Sequence, residues 1–150
     1  LVGKGTLLGQ RSIINEETAN LSATAMTDGR VCFLPRQEIS QFIYDNTDFI
    51  IGLTQSICND LKDADNYMTD MAQKTVKERI KSTLLRIKNL AGMDEHNALM
   101  LQISREDLAN IVGTATESCI RLLAELRREG FIELEGKKII LKEPLLALQQ

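Results

Sequence analysis

Histidine, cysteine and tryptophan are scarce in this sequence, which limits the chemistry that it can support. Its 150 residues include one histidine, three cysteines and no tryptophan. A catalytic triad or a two-histidine metal site is not easily built around His96 alone. Cys32, Cys58 and Cys119 are far apart and form no C-x-x-C pair, which argues against a zinc site or a disulfide framework. We expect buried or semi-buried thiols, a solvated loop histidine, no metal and no enzyme activity.

Long apolar runs are absent as well. No stretch approaches the roughly 20 apolar residues that a membrane span needs. The first residues, "LVGKGTLLGQ", have neither the basic region nor the cleavage site of a signal peptide. With 43% hydrophobic and 26% charged residues, the composition is that of a soluble globular protein. These features predict a cytoplasmic protein without a membrane partner.

The net charge of −3 gives no general indication of nucleic-acid binding, but the charges are unevenly distributed. Between residues 74 and 88 the only acid is Glu78. The cations of that stretch are Lys74, Lys77, Arg79, Lys81, Arg86 and Lys88. Such asymmetry can mark a basic contact face or a solvated helix face, and charge alone favours the latter.

Residues 1–36 are predicted to form short strands and turns. The segment "LSATAMTDGRVCFLP" alternates in the manner of a strand, contains a D-G turn and ends at Pro35. A few short strands cannot form a stable sheet alone. We therefore expect this segment either to pack on another part of the protein or to be the end of a larger β domain, with residues missing upstream.

From about Gln37 the apolar residues recur with a helical period. "RQEISQFIYDN" predicts a short helix, and a much longer one follows it. Apolar residues of the long helix recur at steps of 3 and 4, as in a heptad seam. They are Ile50, Leu53, Ile57, Leu61, Ala64, Met68 and Met71. The stripe fits either a core helix or a homodimer helix. The dimer is favoured because the sequence offers little around the helix for the stripe to be buried against.

A further helix is predicted from about Thr75 to Leu90, ending at Gly92.

The stretch "SREDLANIVGTATESCIRLLAELRREG" predicts two helices that meet at a tight turn. Ser104 is a candidate N-cap for the first helix, and Gly113 supplies the break because glycine readily adopts positive φ. Thr114 and Glu117 match a T-x-x-E capping box, with Thr116 as a rival cap. The predicted buried side of the second helix comprises Cys119, Leu122, Leu123 and Leu126. Its predicted exposed side comprises Glu117, Ile120, Arg121, Ala124 and Arg128.

The two helices are followed by "FIELEGKKIILKE", which predicts a β-hairpin around Gly136. A helix-turn-helix with a hairpin is a winged helix, which docks its second helix in the DNA major groove. There Arg121 can bond guanine and Glu117 can accept from cytosine. This interpretation assigns contacts with the DNA backbone to Arg105, Thr114, Thr116, Lys137 and Lys138. Two alternatives remain: an ordinary Glu117–Arg121 ion pair on a solvated helix, and a winged helix that binds proteins instead of DNA.

With these motifs in order, the chain resembles the Crp/Fnr family of bacterial transcription regulators. The resemblance implies an α+β fold with a partial β-roll and a long dimerisation helix in residues 1–73, and a winged helix-turn-helix in residues 74–150. It implies a homodimer that binds an inverted repeat in double-stranded DNA and contacts RNA polymerase. Glu117 and Arg121 match the base-reading E-x-x-x-R pair of the family, and Ile120 stands where Fnr-like members often have serine.

The resemblance also bears on the effector, which the sequence does not identify. Cyclic-nucleotide binders of the family hold the ribose with a glycine–glutamate pair and the phosphate with an arginine–serine pair. The aligned residues here are Gly9-Gln10 and Leu21-Ser22, so the cationic phosphate ligand is missing. We expect no cofactor in this chain and no dependence on cyclic AMP.

Overall fold

The computed structural model describes residues 1–19 and 21–149. Its elements are mostly helical. The helices are α1 (Gln10–Ile14), α2 (Arg36–Asp45), α3 (Thr47–Gln73), α4 (Val76–Ala91), α5 (Arg105–Val112), α6 (Thr116–Arg128) and α7 (Glu143–Leu146), with a 3-10 turn at Ala147–Gln149. The strands are β1 (Ile132–Glu135) and β2 (Lys138–Leu141). The α+β class is therefore confirmed.

The strands predicted in residues 1–36 are absent from the described part of that segment. Gln10–Ile14 forms a short helix instead, and residues 21–35 have no regular structure. A strand needs a neighbour for its backbone hydrogen bonds. No other described segment of the chain pairs with these residues, so their alternating pattern alone does not produce a sheet. The prediction of strands here was wrong for this chain.

The chain divides into two compact units, one of Lys4–Tyr67 and the other of Leu1–Gly3 with Met68–Gln150. The division falls within α3, whereas the domain boundary predicted at residues 73 and 74 lies just beyond that helix. In the Lys4–Tyr67 unit, Asn46 begins α3 by accepting a hydrogen bond from the Phe49 N–H at 2.9 Å. Leu53 is the one hydrophobic side chain described as buried in that unit. A single buried leucine makes a very small core.

The other unit contains the hydrophobic core. Its buried side chains come from α4, α5, α6, the hairpin and α7. They include Ile80, Leu84, Ile87, Leu108, Leu123, Leu126, Ile132, Leu141 and Leu145. Replacing such a buried leucine by alanine typically costs about 2–5 kcal/mol of stability. The position of every winged-helix element is therefore fixed by packing.

Two local predictions in this unit are confirmed, and the connection before α5 adds a contact that was not predicted. Helix α4 ends where expected, with Gly92 at φ 82°. Strands β1 and β2 pair antiparallel across a turn at Gly136, whose φ is 58°. The extended piece before α5 joins the hairpin, because the Leu99 N–H donates to the carbonyl oxygen of Ile139 at 3.0 Å.

Candidate nucleic-acid interface

The turn between α5 and α6 has the geometry that the sequence predicts. Ser104 caps α5 by accepting from the Asp107 N–H at 2.9 Å. Gly113 adopts the left-handed conformation, with φ 71° and ψ 56°. Ala109 is fully buried, and its carbonyl oxygen accepts from the Thr114 N–H at 3.0 Å. A small residue at this point lets the two helices approach closely.

The predicted cap of α6 was wrong. The helix starts at Thr116 with Ala115 as its N-cap, and no side chain caps it. Thr114 lies one residue too early because its N–H is used in the turn, and Thr116 is already inside the helix. By contrast, α4 begins with a reciprocal capping box between Thr75 and Glu78. Their hydrogen bonds hold the pKa of Glu78 below its ordinary value. Unlike α4, α6 has no side-chain acceptor for its first-turn N–H groups.

The two faces of α6 separate as predicted. Cys119, Leu123 and Leu126 are buried, and Leu122 is partly buried. Burial raises the pKa of the Cys119 thiol. The opposite face is exposed along its length and comprises Glu117, Ile120, Arg121, Ala124 and Arg128.

Glu117 and Arg121 lie one helical turn apart on this exposed face. The ion pairs found in residues 1–19 and 21–149 do not include a Glu117–Arg121 pair. Ile120, half exposed at 50%, lies between them. Both charged groups are thus available to an external ligand, and an isoleucine side chain accompanies them.

The wing presents two lysines at its tip. Lys137 is in the turn and Lys138 begins β2, and both are exposed. At the base of the hairpin, Lys142 Nζ lies 2.6 Å from Glu133 Oε2. This hydrogen bond holds the pKa of Glu133 below its ordinary value. The tip is consequently the cationic end of the hairpin.

Arg105, a predicted backbone contact, is folded against the wing. Its Nη2 donates to the carbonyl oxygen of Gly136 at 3.3 Å, and its Nη1 is buried without a hydrogen-bond partner. In this arrangement Arg105 joins the start of α5 to the turn of the hairpin. Its predicted phosphate contact would require the guanidinium to turn outward and remains a prediction.

Several cations of the basic stretch at residues 74–88 bind groups within the chain. Lys74 pairs with Asp70, and Lys81 Nζ lies 3.3 Å from the centroid of the Phe131 ring. Lys77 Nζ lies 2.6 Å from Glu125 Oε1 and also pairs with Glu129. Hydrogen bonds to Glu125 and Glu129 raise the pKa of Lys77, and the bond to Lys77 lowers the pKa of Glu125.

The remaining predicted positions differ in their surroundings. His96 is exposed in a loop, as expected. Cys119 is buried, but Cys32 and Cys58 are exposed, so the expectation of buried or semi-buried thiols was wrong for two of the three. Of the seam residues, Leu53 is buried and the other six are exposed. Within the described residues, no cluster of three or more potential metal ligands occurs, and no helix has the length and apolarity needed to cross a membrane.

Comparison with known proteins places this geometry in a family. Residues 78–147 match the family described as the Crp-like helix-turn-helix domain. Over 145 residues, 95% of this chain, the sequence is 26% identical to a CRP-like cAMP-activated global transcriptional regulator of Mycobacterium tuberculosis. It is 27% identical over 142 residues, 92% of the chain, to an anaerobic regulatory protein of Bacillus subtilis. The chain is therefore similar to regulators of the Crp/Fnr family, and the family match itself covers the winged helix.

Solved structures show the same similarity. A transcriptional regulator of the CRP/FNR family from Thermus thermophilus superposes with a TM-score of 0.63 at 26% identity, over 69% of this chain and 54% of the other. FixK2 from Bradyrhizobium japonicum, at 22% identity, shares the fold with a TM-score of 0.66, over 75% of this chain and 58% of that one. The chain spans 65% of the length of the Mycobacterium relative and 60% of the Bacillus relative.

The sequence interpretation missed three features that position the winged helix. They are the Thr75–Glu78 capping box, the Lys77 ion pairs and the hydrogen bonds of Arg79. The T-x-x-E spacing at residues 75–78 was present as a signal for the first. The other two depend on groups separated by more than 30 positions in sequence, a carboxylate for Lys77 and a backbone carbonyl for Arg79, which no local pattern reveals.

Proposed function

We propose that this chain is a homodimeric transcription regulator that binds double-stranded DNA with sequence specificity. The observation that carries the proposal is the exposed Glu117–Arg121 face of α6, beside a wing with two exposed lysines. The match of residues 78–147 to the Crp-like helix-turn-helix family supports the same function.

The chemistry of the face suits base edges in the major groove. An arginine fork can donate to O6 and N7 of guanine, and a glutamate can accept from N4 of cytosine. Glu117 and Arg121 lie in the first two turns of α6, the part of a recognition helix that meets the bases. Because these two residues form no ion pair with each other in the described structure, both groups can meet a base.

Backbone contacts would orient the protein on the duplex. The N-terminus of a helix favours anions, and α6 has no side-chain cap to occupy its first N–H groups. A phosphate can therefore approach there, beside Thr114 and Thr116. Lys137 and Lys138 would contact phosphates from the wing tip. These contacts carry little sequence information.

Paired substitutions test this division of roles. Arg121→Ala should lose roughly 1–3 kcal/mol at the specific site and relax the preference at one G·C pair. Lys138→Ala should weaken binding to all sequences alike and reduce the salt slope by about one. Gel shifts over a salt series, on a duplex selected from a random library and on its mutated versions, measure both effects. Equal losses of specificity in the two variants would contradict the assignment, and salt-independent failure to bind any duplex would favour the protein-interaction alternative.

The stripe on α3 supports the homodimer. Ile57 is 37% exposed and Leu61 is 63% exposed, although both are apolar. Pairing of this stripe with a second copy would remove it from water, at roughly 25 cal/mol per Å² of apolar surface. Two recognition helices would then read half-sites about 34–36 Å apart. A contact with RNA polymerase and a cytoplasmic location belong to the same proposal.

Independence from cyclic AMP is also proposed. Leu21, at the position aligned with a phosphate-binding arginine, has an exposed side chain that can neither donate nor neutralise charge. Gln10 Nε2 donates to Asp60 Oδ2 at 2.8 Å, so it is already engaged. Burying a phosphate without a cation costs several kcal/mol. Calorimetry with cyclic AMP should therefore detect no binding at physiological concentration. Arg11, which directly follows Gln10, is the candidate cation that could replace the missing phosphate ligand. Micromolar affinity for cyclic AMP that disappears in Arg11→Ala would overturn this proposal.

A further inference from the structure

A single side chain, Arg79, connects the end of α3 to the turn that precedes α6. Its Nη1 donates to the carbonyl oxygen of Lys74 at 2.9 Å, and its Nε donates to that of Val112 at 2.9 Å. Its Nη2 lies 3.4 Å from the carbonyl oxygen of Gly113. One guanidinium thus binds three backbone carbonyls on two segments that are more than 30 residues apart in sequence.

These carbonyls lie at the ends of two helices. Lys74 directly follows α3, Val112 is the last residue of α5, and Gly113 is its C-cap. The carbonyls at a helix C-terminus have no partner within the helix and carry partial negative charge. A cation with several donors satisfies both ends at once. Arg79 therefore stabilises the two termini in one fixed arrangement.

A packing contact joins the same two segments independently. A Cβ built on Gly113 would lie 2.4 Å from Cε of Met71, so the methionine methyl occupies the space that the absence of a side chain leaves. Met71 belongs to the last turn of α3. The last turn of α3 and the α5–α6 turn are consequently held together by hydrogen bonds from one side and by close packing.

We propose that Arg79 is a positioning residue that fixes the direction of α6 relative to the last turn of α3. The inference rests on the proposed DNA-binding function. In a dimer whose seam includes Met68 and Met71, at the end of α3, this link would act on both recognition helices. Arg79 then determines which spacing between half-sites the dimer accepts, although it touches no base.

Half-site spacing is a sensitive readout of such a link. Adding one base pair between half-sites moves one of them by about 3.4 Å along the duplex and rotates it by roughly 35°. A rigid dimer should lose affinity sharply, whereas a loosened one should follow the displaced half-site. A substitution that only destabilises the domain should lower the affinity for every duplex by the same factor.

The experiment compares four versions of the chain on three duplexes. An inverted repeat is first selected from a random duplex library with the unsubstituted chain, and versions with one base pair inserted or removed between its half-sites are then made. Arg79→Ala removes all three bonds, and Arg79→Lys keeps the charge but lacks the planar fork that spans three carbonyls. Lys81→Ala is the matched control, because it removes a cation and a packing contact from the same helix without touching α3.

We expect the unsubstituted chain and Lys81→Ala to lose about tenfold or more on the altered spacings, a loss comparable to that of a mismatched base pair. Arg79→Ala should lose only a few-fold, and Arg79→Lys should be intermediate. If Arg79→Ala does not fold, the inference is decided by Arg79→Lys, from the ratio of its affinities for the selected and the altered spacings. Unchanged spacing ratios in both Arg79 variants would overturn the inference alone. Failure of the unsubstituted chain to bind any duplex would overturn the proposed function, and the inference with it.

Discussion

Replacing Gly113 by alanine tests whether the turn before α6 depends on its contact with α3. The substitution has two separable costs. The first is backbone strain, because a left-handed conformation at φ 71° costs a non-glycine residue about 1–2 kcal/mol. Part of that is offset, because alanine reduces the conformational entropy of the unfolded chain by about 0.4–1 kcal/mol. The second cost is steric and involves Met71.

The steric cost follows from the position of the Met71 methyl. The new Cβ would lie 2.4 Å from Cε of Met71, which must therefore move. Met71 is 38% exposed, so its flexible side chain can turn toward solvent. Full burial of a methionine contributes roughly 1.5–3 kcal/mol, and such a move loses part of it, about 1 kcal/mol. We expect Gly113→Ala to lower the free energy of unfolding by about 2 kcal/mol in all.

Gly130 provides the matched control. It also follows a helix and has a positive φ of 78°, but a Cβ there would meet nothing within 4 Å. Gly130→Ala should cost only the strain, about 1 kcal/mol after the entropy offset. In a Met71→Ala background the surplus cost of Gly113→Ala should vanish, because the clash has been removed.

Urea unfolding followed by circular dichroism measures these differences, and hydrogen exchange of the α4 and α6 amides assigns them to the winged helix. The role of the Met71 contact is contradicted if Gly113→Ala lowers the free energy of unfolding no more than Gly130→Ala does. It is also contradicted if the extra loss in Gly113→Ala persists in the Met71→Ala background.

Two further predictions concern assembly and acid stability. Ile57→Lys should bury a charge against its own copy, at a cost of several kcal/mol. The variant should be monomeric and unable to bind DNA with its winged helix still folded; ultracentrifugation showing a dimer with full operator affinity would place the seam elsewhere. The hydrogen bond from Lys77 lowers the pKa of Glu125. Ionised Glu125 therefore stabilises the fold at pH values above its unfolded pKa. This contribution is lost as the pH falls through its folded pKa. Urea unfolding from neutral to acid pH should therefore show a shallower loss of stability in Glu125→Gln, and an unchanged pH dependence would contradict the role of this pair.

The winged helix was largely predictable from the sequence because its signals are local. Gly113 and Gly136 occur where the backbone needs positive φ, and both adopt it. The alternation of "FIELEGKKIIL" gives the hairpin, and the helical period separates Cys119 from Arg121. The cap of α6 was mispredicted because Thr114 and Thr116 both satisfy the local rule, and only the turn geometry selects Ala115 as the N-cap.

Residues 1–36 show the opposite case. Their alternation predicts strands, but strand formation depends on a partner, which the pattern of one segment cannot specify. The same limit applies to Arg79 and Lys77. A cation in a helical sequence looks like part of a solvated face until the carbonyls or carboxylates that it meets are known.

Three cations of α4 make contacts within the chain, which limits the number of cations left to bind DNA phosphates. Lys77 and Lys81 are engaged with α6 and Phe131, and Arg79 is engaged with backbone carbonyls. Lys77 and Arg79 contribute to holding α6 in place, and their charges are partly neutralised where they lie. The phosphate contacts proposed for the winged helix are then few: the uncapped start of α6 with Thr114 and Thr116, Arg105, and the lysines of the wing tip. An interface with few phosphate contacts has a shallow salt dependence, so a larger share of its affinity has to come from base edges. The exposed Glu117–Arg121 face can supply that share only if α6 is held rigidly, and the bonds of Lys77 to Glu125 and of Arg79 to the turn before α6 contribute to this.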